Sequence, residues 1–72
     1  MPLTMASPGS EVVIVRIQGK DEQQKFLENL GFVIGAKISV ISDIQGNLIV
    51  NIKDSRVAIS KSMANRIFVS EE

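Results

Sequence analysis

Two glycines four residues apart, in Leu30-Gly31-Phe32-Val33-Ile34-Gly35-Ala36, oblige a helix to stop and a strand to start within a single short segment. Upstream, Phe26, Leu27 and Leu30 recur at helical spacing, and Gly31 supplies a residue able to take positive φ just past the last helical position. Downstream, Gly35 provides a second tight turn, and Lys37-Ile38-Ser39-Val40 alternates with the period of a half-buried strand. The segment is therefore a helix-to-strand corner, and the other elements are placed relative to it.

The chain allows one domain, expected over residues 1–72. A chain of this length buries only about 60 to 65% of the surface its unfolded form exposes. It has neither cysteine nor histidine, so no disulfide or zinc staple can supplement a core drawn from a 44% hydrophobic composition. Leu3 to Ala6 is expected to form a helical turn entered after Pro2. Pro8-Gly9 fits the central positions of a type II turn. Glu11 to Gln18 reads as a strand whose two faces are both apolar, so its periodicity alone does not say which side is inward. After Gly19, Asp21-Glu22-Gln23-Gln24 resembles a capping box, with Asp21 as the cap and Gln24 reaching back, opening a helix from about Glu22 to Leu30. Gly46-Asn47 reads as a turn into a strand whose Leu48, Val50 and Ile52 alternate with Ile49, Asn51 and Lys53. Asp54-Ser55 is a second turn before a strand from Arg56 to Ile59. Ser60 can cap a final helical turn through Met63 and Ala64, and Ile67 and Val69 alternate in a closing strand. Five short strands, one inserted helix and one late helical turn describe a mainly β fold, a small, strongly bent barrel of the SH3-like kind.

The order Leu3, Pro8-Gly9, Arg16-Ile17, Gly19, Leu30-Gly31-Phe32, Gly35, Ile38, Val40, then Arg56-Val57-Ala58-Ile59, Ala64, Ile67 and Val69 resembles the FeoA family of small cytoplasmic proteins of ferrous iron transport. Leu-Gly-Phe-x-x-Gly followed at this distance by Arg-x-Ala-Ile is the more specific part, and the resemblance spans nearly the whole chain. Ile34 stands where many relatives carry proline, and Ala6 where leucine is frequent, so the Gly35 turn is less pre-organised and the N-terminal turn is expected to pack more loosely. The resemblance implies an SH3-like fold and a cytoplasmic, non-catalytic module. Its implied partner is the cytoplasmic GTP-binding part of a FeoB-type ferrous iron permease. It also implies that Val12, Ile14 and Ile17 point inward past an irregularity near Arg16, leaving Val13 and Val15 facing out, with Ile41 and Ile49 outside on later strands. Val13, Val15 and Ile49, framed by Arg16 and Lys53, are the expected partner-binding residues, an apolar centre with a basic rim.

Simpler roles stand beside these. A helix cap and tight turns account fully for Pro8, Gly9, Gly31 and Gly35, scattered apolar surface is ordinary, and Arg16 and Arg56 can simply solvate strand ends. Asp21 and Glu22 match a helix N-terminus better than a metal site, and Asp21 with Lys25 makes a solvent-side pair. Without histidine or cysteine the commonest general base and the strongest nucleophile are missing, so no catalytic residue is assigned. The glycines precede a strand and not a helix, which excludes a phosphate cradle. The acidic residues are dispersed over separate turns, so neither cofactor nor metal ligands are expected. Eight basic residues balance eight acidic ones, leaving no long-range field for nucleic acid, and no apolar run is long enough to span a bilayer. The first residues lack a signal peptide's pattern, and a soluble intracellular protein, monomeric or weakly self-associating, is expected. Two other classes remain. A regulatory barrel like that of iron-dependent repressors would call for an attached DNA-binding domain. A small RNA-binding barrel would call for surface aromatics and a basic stripe.

Overall fold

The computed structural model describes residues 1–71. A 3-10 turn at Leu3–Met5 leads into β1 (Glu11–Ile17), α1 (Asp21–Asn29), β2 (Lys37–Ile44), β3 (Asn47–Ile52), β4 (Ser55–Ser60), a single turn of helix α2 (Lys61–Ala64) and β5 (Ile67–Glu71). The strands form one antiparallel sheet in the order β4-β3-β2-β1-β5, so the last strand lies beside the first. Val12, Ile14, Ile38, Val40, Leu48, Val50, Ile52, Ile59, Ile67 and Val69 line its inner face, and Leu3, Leu27, Phe32 and Ala64 cover it. This is the mainly β, five-stranded SH3-like arrangement expected from the sequence.

The corner forms as the glycines require. Gly31 takes φ 104°. Its amide donates to the Glu28 carbonyl at 2.9 Å, and the Phe32 amide donates to the Leu27 carbonyl at 2.9 Å. These two bonds make a Schellman motif, and the side chains of Leu27 and Phe32 that close it are both fully buried. Gly35, at φ 91°, then donates to the Ile14 carbonyl at 2.8 Å while Ile14 donates to Ala36 at 3.0 Å, fastening the corner to β1. Pro8-Gly9 forms the expected turn: Gly9 has φ 87° and the Ser10 amide reaches the Ser7 carbonyl at 3.1 Å.

Several boundaries differ from expectation, each for a local reason. The N-cap of α1 is Lys20 and not Asp21. The Gln23 side-chain oxygen accepts from the Lys20 amide at 3.0 Å, and Gln24 instead donates to the Gly19 carbonyl at 2.9 Å. Asp21 thus enters the first helical turn, where its charge favours the helix dipole, and it makes no ion pair with Lys25 among the described residues. Of the three apolar helix residues, Leu27 is buried, Leu30 is half-buried and Phe26 stays 52% exposed. The β2–β3 turn is Gln45-Gly46, with φ 49° and 82°, a type I′ geometry that Gly46 permits at its second position, so β3 starts at Asn47. The Ile52↔Ser55 pair makes Lys53-Asp54 the next turn, and Lys53 leaves the strand. The irregularity in β1 is real and falls between Ile14 and Arg16, though it leaves Ile17 only half-buried at the edge of the core. Ser60 caps α2, its hydroxyl accepting from the Met63 amide at 3.3 Å. Ala6 is buried, its amide closing the N-terminal turn onto Leu3 at 3.0 Å.

Candidate interaction surface

The expected partner residues do not form one patch. On the outer face, Val13 lies between Lys37 on β2 and Ser70 on β5 and is half-buried by them. Ile49 lies between Ser42 on β2 and Ala58 on β4, and it too is half-buried. From Lys37 to Ser42 the register advances along β2 by about 16 Å at the usual strand rise, so Val13 and Ile49 are at opposite ends of the face. Ser39, beside Glu11 and Asn51, lies between them. Lys53 sits at the Val13 end and frames nothing around Ile49.

Val15 and Arg16 occupy a different edge. The bulge turns Val15 outward, 49% exposed, beside Gly35. Arg16 pairs with Phe68 in the ladder and lays its guanidinium 4.5 Å from the ring centroid, a cation–π contact that holds the charge in place. At the Gly35 turn Val33 is 44% and Ile34 70% exposed, and on α1 Phe26 is 52% exposed. Val15, Phe26, Val33 and Ile34 are half of the large apolar side chains left exposed, and the sequence reading singled out only Val15 among them as a contact. Phe26 was missed because helical spacing alone assigns it to the core.

A groove of about 300 Å³ is lined by residues of the corner and of β1, β2 and β3. Gly31, Ala36, Ile38 and Ile52 form its apolar part, and Glu11, Lys37, Ser39, Asn51 and Lys53 its polar rim. Lys53 was expected at a rim, but the groove itself has no signal in the sequence, because it brings together three strands and a helix terminus. No group of three or more acidic side chains capable of holding a metal ion occurs among the described residues. No helix in them is long and apolar enough to cross a membrane.

The family model for the FeoA domain matches residues 1–71. The chain belongs to the FeoA domain family. This FeoA domain is 33% identical over 70 residues to a provisionally named Fe(2+) transport protein A of Methanocaldococcus jannaschii, a match covering 97% of the chain and 85% of that relative. It superposes on the crystal structure of an iron uptake regulatory protein (FeoA) with a TM-score of 0.92 at 30% identity, covering 100% of this chain and 96% of that one. A manganese-dependent transcriptional repressor contains the same fold over 41% of its length, with a TM-score of 0.90 at 17% identity, a likeness of architecture alone.

Proposed function

We propose that this FeoA domain is a cytoplasmic, non-catalytic docking module of ferrous iron uptake that binds the cytoplasmic GTP-binding part of a FeoB-type permease. The observation that carries the proposal is the FeoA match over residues 1–71, together with the Fe(2+) transport role in the name of the archaeal relative. The surface is consistent with docking. Val15, next to the fixed charge of Arg16, and Val33 and Ile34, at the Gly35 turn fastened to β1, expose apolar area of the composition of a modest interface centre. Val13, Ile49 and Lys53 would then lie outside that centre, at separate places on the sheet face.

Calorimetric titration into the permease's isolated cytoplasmic domain, loaded with GDP or a non-hydrolysable GTP analogue, tests this directly. Saturable one-to-one binding in roughly the micromolar range is expected, as for small transient interfaces. Val15→Ser should weaken it by about 1 kcal/mol or more, because a half-exposed apolar contact is lost while the inward row Val12 and Ile14 is untouched. Absence of binding in both nucleotide states would overturn the proposal.

In this role iron is the cargo of the permease, and the module does not hold it. Anaerobic calorimetry with ferrous iron is accordingly expected to give no saturable binding below the millimolar range, since carboxylates spread over separate turns cannot converge on one ion. Stoichiometric binding at low micromolar concentration would contradict this.

A further inference from the structure

The sheet has an edge at each end of its strand order, and the chain covers only one of them. On β5, the amide and carbonyl of Val69 exchange hydrogen bonds with Met1, and Pro2 bridges to Phe68. At the other end, β4 pairs with β3 and with no other strand among the described residues. The turn before β4 decides which of its backbone groups are left over. A two-residue loop, Lys53-Asp54, closes on a hydrogen-bonded Ile52↔Ser55 pair, so Ser55, Val57 and Ile59 direct their N–H and C=O groups to β3. Those of Arg56 and Ala58 point away from it, and both residues are exposed.

An open edge is a template for a further strand, and native edges are commonly blunted by proline, a bulge or several charges. β4 has no proline, its register with β3 runs unbroken from Ser55 to Ser60, and Arg56 is its one charged residue. We propose that this edge pairs, antiparallel, with the β4 edge of a second copy of the chain. The side chains select both the partner and the register. With the two-fold axis at Val57, Arg56 of each chain lies opposite Ala58 of the other, and these pairs exchange about four backbone hydrogen bonds. The long Arg56 stem then lies beside a small side chain with no like charge directly opposite. Val57, already packed against the core, meets Val57 of the second copy as a non-hydrogen-bonded pair, the kind whose side chains come closest. An axis at Arg56 would oppose that cation to itself. An axis at Ala58 would call on the carbonyl of Ser60, which as the N-cap of α2 accepts the first bond of that helix. A strand of another protein would need a matching sequence to meet these conditions, whereas a second copy meets them by symmetry.

Sedimentation equilibrium up to about 1 mM chain should show a reversible monomer–dimer equilibrium, weak because so short an edge lies below the standard interface size. Amide exchange locates the contact. Arg56 and Ala58 should exchange more slowly as concentration rises, while Val57, bonded to β3, is protected at every dilution. Ala58→Pro removes an outward amide that the single chain does not use, so it should abolish dimerisation and leave a monomer folded by circular dichroism. Two further variants leave the backbone alone. Ala58→Glu sets a carboxylate opposite Arg56 of the second copy and should tighten the dimer about threefold at low salt, and Ala58→Lys sets a cation there and should weaken it about as much. Added salt should bring both back towards the parent chain. A chain still monomeric at the highest concentration, with Arg56 and Ala58 exchanging at one rate throughout, overturns the proposal. A dimer indifferent to all three variants overturns it too, since its interface would lie elsewhere. Protection of these two amides by the permease's cytoplasmic domain alone, without self-association, would assign the edge to another protein and likewise overturn it.

Discussion

Phe32→Ala is expected to cost about 3 to 5 kcal/mol, enough to leave a domain of this size largely unfolded at room temperature. Phe32 heads the largest fully buried side chains, and its ring is one half of the apolar clasp that closes the Schellman motif onto Leu27. Truncation therefore acts twice. It opens a cavity in a core that has no cross-link to hold its walls apart, and it releases the end of α1 from the sheet. Urea denaturation followed by circular dichroism measures the loss. A midpoint close to that of the parent chain would mean that the corner is not a cornerstone of the core. Because the residue is buried, reduced partner binding by this variant would report unfolding and not a lost contact.

Gly31→Val should destabilise by about 2 to 4 kcal/mol through two separable effects. A β-branched residue is forced to φ 104°, and the first added carbon would already stand 3.0 Å from the Ile52 Cγ2 atom. Gly35→Val is the matched control. Gly35 also has positive φ, at 91°, but nothing lies within 4 Å of the position a Cβ would take. Its cost is expected to be backbone strain alone, about 1 kcal/mol, and the excess at Gly31 measures the contact with Ile52. Equal urea midpoints for the two variants would show that Ile52 moves aside freely.

The corner, the Pro8-Gly9 turn and the inward row of β3 were legible in the sequence because each depends on residues near in sequence: a glycine past a helical stripe, a proline before a glycine, a strict alternation. The Ser60 cap was legible for the same reason. The start of α1 was misplaced by one residue because Asp21 and Lys20 can both precede the helix, and the choice between Gln23 and Gln24 depends on the geometry of Gly19. The separation of the expected contact residues was hidden for a different reason. Alternation says which side of a strand Val13 and Ile49 occupy, but their separation is fixed by the register of β2 between them, including its shift between Val40 and Ser42. Register of that kind is a property of the assembled sheet. The groove by Lys53 was hidden for the same reason, its lining coming from four separate stretches of chain.

The pairing of β5 with β1 has a consequence for biosynthesis. Ile17 meets Ile67 and Val12 meets Glu71, while the amide of Val69 donates to the Met1 carbonyl at 2.7 Å and the Met1 ammonium donates to the Val69 carbonyl at 3.0 Å. Within this domain β1 is thus completed by β5, and until Ile67–Glu71 has emerged one edge of β1 has no native partner. The hairpins β2–β3 and β3–β4 can form as they appear, since their partners are adjacent in sequence. The join across the ends cannot, and closing its long loop carries a larger entropy cost than closing either hairpin. A nascent chain stalled before Ile67 would expose the Val- and Ile-rich β1 as an open strand, a template for association with other unfinished chains.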